Sequence, residues 1–184
     1  MLSWDQILDL IASGELQDLK RTPRVAELYQ QYRADLAEQH TTVVDAVIDR
    51  KLCWDRRELA ALDARLPTPE ARAAAILSDP TLYKLLPNDF PYDFDPRVSH
   101  LVLWSKVRIP LYKHCGSREM VPAVYDKIQS FLQEKLRPHG VRHFTWFINY
   151  PHLQSVKAVS HIHILIYTEN THVISDILES GFRK

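Results

Sequence analysis

Over the first half of the chain, apolar residues recur at the three-and-four spacing of amphipathic helices. Ser3 is placed to cap a helix carrying Trp4, Ile7, Leu8, Leu10 and Ile11, with Ser13-Gly14 as its stop. Thr22-Pro23 reads as an N-cap followed by proline at the first helical position, opening a helix whose apolar side holds Val25, Leu28, Tyr29, Tyr32 and Leu36. Thr41 or Thr42 starts another, with Val43, Val44, Val47 and Ile48. Residues 54–66 and 69–77 predict two more, separated by Pro67-Thr68-Pro69. The helical pattern runs from residue 3 to about residue 86.

Past Asn88 the period changes. Residues 88–96 are rich in turn formers and aromatics and lead into three segments that alternate as strands do, with successive side chains on opposite faces. Residues 98–104 place His100, Val102 and Trp104 together; residues 143–149 align His143, Thr145, Phe147 and Asn149. Residues 160–167 align His161, His163, Leu165 and Tyr167 against Ile162, Ile164 and Ile166. A helix is predicted over 117–136, with Val121, Val124, Tyr125, Ile128, Phe131 and Leu132 at helical spacing and Pro138-His139-Gly140 as its stop, and a closing helix over 171–180. The sum is a single α+β domain, 1–184: an N-terminal helical layer (1–87), then a small, mainly antiparallel sheet packed on a helix (88–184), the part that carries the site. His100, His143, His161 and His163 should converge on one sheet face, with Phe144, Trp146, Ile162 and Ile164 on the opposite, buried face.

Two imidazoles on one strand face point to chemistry. His161-x-His163 is a metal-ligand spacing, for which His100, His143 or Asp89 would supply the further ligands. Imidazole equally suits a metal-free acid and base, because its ordinary pKa lies near neutrality. The plain alternative is a set of strand histidines satisfied by backbone. Asp89, beside Asn88 and the Phe90-Pro91-Tyr92 wedge, is expected to orient a histidine, whereas Asp93 and Asp95 read as turn or capping groups. Phe90, Tyr92, Trp104 and Trp146 would form apolar walls, although a core position for Trp146 conflicts with a place in the wall. The His-x-Thr of phosphoesterases and the histidine triad of hydrolases each lack a member here, where His163 and Leu165 stand.

Composition narrows the classes. The 184 residues carry 23 Lys plus Arg against 23 Asp plus Glu. No net field favours nucleic acid or an anionic membrane. The start is not that of a secretory signal, and no apolar run approaches a membrane span, so a soluble, cytoplasmic protein is expected. Cys53 and Cys115 make neither a disulfide framework nor a zinc ribbon. Four glycines against eleven prolines, with neither GxGxxG nor GxxxxGK[ST], argue against the common nucleotide sites.

Several stretches taken together are similar to a known family. Asn88-Asp89-Phe90-Pro91-Tyr92, His100-Leu101-Val102-Leu103-Trp104-Ser105-Lys106, the run from Trp146-Phe147-Ile148-Asn149-Tyr150-Pro151 to Ser155-Val156, and His161-Ile162-His163 resemble the fungal N-acetylglucosamine-induced protein family. Leu19-Lys20-Arg21-Thr22-Pro23 and Tyr29-Gln30-Gln31-Tyr32 extend the resemblance over nearly the whole chain. The family is named for an expression response and implies no settled reaction; relatives in fungal natural-product gene clusters imply a biosynthetic enzyme by analogy. The chain departs from the family pattern at Lys157-Ala158-Val159, where a Pro-Gly turn is usual, and at Thr41-Thr42, where a glycine is replaced.

The resulting expectation is a cofactor-independent enzyme of fungal secondary metabolism, of cyclase, isomerase or lyase type, acting on a hydrophobic small molecule. His161, His163, His100 and Asp89 would be catalytic; Tyr92, Trp104, Lys106, His143, Thr145, Asn149 and Ser155 would bind substrate. No metal, nucleic acid or membrane is required, and self-association is compatible with the sequence. The alternatives are a metal-dependent hydrolase at His161 and His163, and a protein that binds a metabolite or amino sugar without turnover.

Overall fold

The structure, a computed structural model, describes residues 1–183. Seven helices surround a four-stranded sheet. The helical layer comprises α1 (Trp4–Ser13), α2 (Pro23–Glu38), α3 (Val43–Asp45), α4 (Arg56–Arg65) and α5 (Pro69–Ala75). Their starts follow the local chemistry. Ser3 and Gln6 form a reciprocal capping box on α1; Thr22, Thr42, Asp55 and Thr68 cap the next four. From α3 the chain continues without a break into a π-helical segment, Ala46–Leu52, which the apolar pattern did not distinguish from an α-helix.

Strands β1 (Tyr83–Pro87), β2 (Val98–Ser105), β3 (Phe144–Phe147) and β4 (His161–Tyr167) form a sheet of order β1-β2-β4-β3, antiparallel throughout. β1 corrects the expectation of helix up to residue 86: Tyr83 and Leu85 are buried while Lys84 and Leu86 point the other way, a strand alternation too short to stand out behind the alanine-rich α5. α6 (Pro122–Leu136) begins five residues later than the periodicity predicts. Pro122 disfavours helical backbone in the residue before it, and the Val121 N–H instead donates to the Leu111 carbonyl at 2.6 Å. α7 (Thr171–Ser180), capped by Asn170, closes the fold.

The sheet is covered on both sides. Leu101, Leu103, Trp146, Ile162, Ile164 and Ile166 pack with Val124, Ile128, Leu132 and Leu136 of α6 and Ile177 of α7. The opposite face meets the N-terminal layer at two places. Val102 and Trp104 pack with Val47, Ile48 and Leu52 of the π-helical segment, whereas Phe147 and Leu165 pack with Ile7, Leu16 and Leu19. The histidine face is therefore interior: His100, His161 and His163 are 7, 8 and 6 % exposed. No helix among the described residues is long and apolar enough to cross a membrane.

Candidate functional site

Between the two contacts that join the helical layer to the sheet lies a cavity whose empty space, open mouth included, is about 620 Å³. The sheet supplies its floor. Register sets Trp104 opposite His161 and Val102 opposite His163, so two histidines, an indole and a valine form one continuous surface. Asn88, Asp89, Phe90 and Tyr92 form one wall; Asn149, Ser155 and Val156 form another. The helical layer contributes Arg21, Tyr29, Tyr32, Val43, Val47 and Lys51.

Hydrogen bonds join the imidazoles to one another and to the cavity walls. The Asn88 side-chain oxygen accepts from the Phe90 N–H at 3.0 Å, so it is the Asn88 NH₂ that meets the His100 ring, 3.1 Å from Nε2 and 3.4 Å from Nδ1. His100 Nε2 and His163 Nδ1 lie 2.9 Å apart and share one proton between them. His163 Nε2 in turn faces the Asn149 NH₂ at 3.5 Å, and that NH₂ donates to the Tyr92 hydroxyl at 3.0 Å. His161 is separate from this chain of bonds: its Nδ1 donates to the Val159 carbonyl at 2.8 Å. Its Nε2 keeps a free lone pair, without a partner among the described residues. The ring lies 4.5 Å, centroid to centroid, from Trp104, whose buried indole N–H also has no acceptor.

All three histidines are held neutral. Burial, with a smaller push from Arg21, lowers His100 to about 3. Burial also takes His163 well below its ordinary value, with His100, His161 and Arg21 adding to the effect. Burial lowers His161 as well; the Val159 hydrogen bond opposes that and Lys51 reinforces it. The Tyr92 phenol is kept protonated by burial, against the weaker pull of Asn149 and Arg21. The site thus offers neutral donors and acceptors in place of charges. His100 Nε2 and His163 Nδ1 point at each other and not at a common centre. Among the described residues no group of three or more His, Cys, Asp or Glu is arranged to hold a metal ion.

The structure brings together most of the residues singled out in the sequence. His161, His163, Asp89, Tyr92, Trp104, Asn149 and Ser155 line the cavity, and His100 stands directly behind His163. His143 does not reach it. This residue precedes β3, is exposed and touches Tyr167 edge-on, because Phe147 is the β3 residue paired with His163. Thr145, opposite Leu165, opens instead onto a groove beside α1. Lys106 lies past the end of β2, paired with Glu58 at 2.9 Å and set over Trp54. Asp89 does not orient a histidine: it is exposed and pairs with Lys51 at 2.5 Å, and the orienting group is its neighbour Asn88. Trp146 belongs to the other face, donating to Gln129 at 2.8 Å. Arg21, Tyr29, Tyr32 and Lys51 were not assigned to the site from the sequence. Three of them stand in stretches that carry the family resemblance, the one signal that singled them out.

Comparison with known proteins follows the same pattern. A family model described as "Protein of unknown function (DUF3605)" matches residues 3–167. The chain is 36% identical over 190 residues to "Uncharacterized protein YPL067C" of Saccharomyces cerevisiae, covering 97% of this chain and 89% of that protein. It is 25% identical over 186 residues to "N-acetylglucosamine-induced protein 1" of Candida albicans, covering 97% of this chain and 73% of the relative. A solved structure, the crystal structure of HTC1, is similar with a TM-score of 0.70 at 34% identity, over 98% of this chain and 97% of that one.

Proposed function

The chain belongs to the DUF3605 family, and from that premise we propose that it is a cytoplasmic, cofactor-independent enzyme of fungal secondary metabolism that isomerises or cyclises a small molecule by moving a proton within it. The observation that carries this reading is the free lone pair of His161 Nε2, on the cavity floor beside the unpartnered Trp104 N–H. In the proposed step His161 Nε2 accepts a proton from one atom of the substrate and returns it to another, so no co-reactant is consumed. The Tyr92 hydroxyl, which burial keeps protonated, is the donor for oxygen on which charge develops. His163, held by His100 and Asn149, is a positioning residue that keeps the floor polar and neutral.

A second reading is a metabolite-binding protein without turnover. The lowered basicity of all three histidines favours it, since neutral imidazoles recognise hydrogen-bonding partners well but are weak bases until a ligand changes their surroundings.

Untargeted mass spectrometry of a fungal metabolite extract incubated with the protein tests the proposal. Wild type should convert at least one species into an isomer of equal mass and altered retention, and His161→Phe, which keeps an aromatic ring against Trp104, should lose about 10²-fold or more of that rate. Retention of a species without any product, or full activity in His161→Phe, contradicts the enzymatic reading.

A further inference from the structure

The helical layer puts a cation into this cavity that no carboxylate among the described residues neutralises. Lys51, on the π-helical segment, is paired with Asp89 at 2.5 Å. Arg21 has no carboxylate partner among the described residues. Its Nε donates to the Phe90 carbonyl at 3.1 Å, and its guanidinium carbon lies 4.5 Å from the Tyr29 ring centre and 5.7 Å from that of Tyr92. The fork is thus fixed by one backbone bond and two aromatic rings, while both Nη groups stay available. Around it stand the neutral His161 and His163 and the Tyr32 and Tyr92 phenols that burial keeps protonated, so Arg21, Lys51 and Asp89 leave the cavity with one excess positive charge. A half-buried guanidinium with two free donor groups matches a planar two-oxygen anion, and the aromatic and valine surfaces beside it match a flat apolar body.

We propose that the cavity takes an organic carboxylate, its carboxyl group on Arg21 and its apolar body over Trp104 and Val102 toward His161. This rests on the reading of the cavity as the substrate site and adds the substrate's chemical class. The same anion would oppose the field of Arg21 and Lys51 that helps keep His161 and His163 unprotonated, making them better bases once the ligand is bound.

The probe pair is trans-cinnamate and its neutral amide, titrated into the full chain and followed by the imidazole resonances of His161 and His163 and by tryptophan fluorescence. Cinnamate should bind wild type about tenfold or more tightly than the amide, the scale of one charge-assisted hydrogen bond. Arg21→Gln should bind the two equally, and Arg21→Lys, which keeps the charge, should restore part of the preference. If the amide binds wild type as well as cinnamate does, if Arg21→Gln keeps the preference, or if neither probe moves the histidine resonances at 10 mM, on the order of the weakest useful affinities, the assignment is overturned. Binding is read without turnover. A protein that prefers cinnamate through Arg21 and yet converts nothing in a metabolite extract would retain this inference while losing the enzymatic one.

Discussion

His163 shows how neighbours, and not the imidazole alone, decide a protonation state. It shares a proton with His100, faces the Asn149 NH₂ and lies parallel to Phe147 at 4.6 Å, so its neighbours are neutral and burial disfavours a charge on the ring. The three buried histidines, His100, His161 and His163, have folded pKa values below their ordinary 6.5. The unfolded chain therefore binds more protons than the folded one as pH falls through 6.5, and stability drops with acidity. Each histidine contributes a slope of up to about 1.4 kcal/mol per pH unit, full near pH 5.5 and continuing toward the folded value, about 3 for His100. Urea unfolding at steps from pH 7 to pH 5, above the range in which exposed carboxylates titrate, should show this loss. His163→Gln should flatten the curve. A pH-independent unfolding midpoint would contradict the neutral state of these buried histidines. Which residues make that floor was legible in the sequence, since a strict period of two puts His161 and His163 together and aligns His100 with Trp104. Arg21 and Lys51 were not, because they reach the site from helical-layer segments whose position over the sheet no local pattern encodes.

At the scale of elements, the segment Ala46–Leu52 forms the lid side of the cavity. Val47 and Lys51 face inward, and Ile48 and Leu52 anchor it on Val102 and Trp104. Its end is closed by Cys53 at φ 54°, in the left-handed region where side chains other than glycine are strained, and by Lys84, which donates to the Lys51 carbonyl at 3.3 Å. Cys53→Gly should relieve that strain and stabilise the protein by about 1 kcal/mol, read as a raised urea midpoint with unchanged slope. A lowered midpoint would show that the exposed thiol, 3.6 Å from the Arg50 carbonyl, matters more than the backbone. Capping residues made the helix starts readable; Ser3, Thr22 and Thr42 each sit where the sequence placed them. Widening into a π-helix left no such mark, because Val43, Val44, Val47 and Ile48 fit an α-helical stripe equally well. β1 was hidden for a related reason: five residues of which only Tyr83 and Leu85 are buried give one full period of alternation.

For the whole molecule, the consequence of the architecture is that the sheet has no solvent face. α6 and α7 cover the isoleucine side, and the helical layer covers the histidine side except where it parts over His161 and Trp104. A fold that buries three histidines and leaves an indole N–H without a partner forgoes stability in one place, and sites of function are where such departures from good packing concentrate. The central claim is that this gap is where a small molecule binds against His161. It is tested most directly by a crystal structure of the protein carrying the molecule it retains from a fungal metabolite extract. The expected result is density between Arg21 and His161, lying along Trp104, with an oxygen or nitrogen within hydrogen-bond distance of His161 Nε2. Density confined to the groove beside α1 at Thr145, with the floor of His161 and Trp104 unchanged, would contradict it.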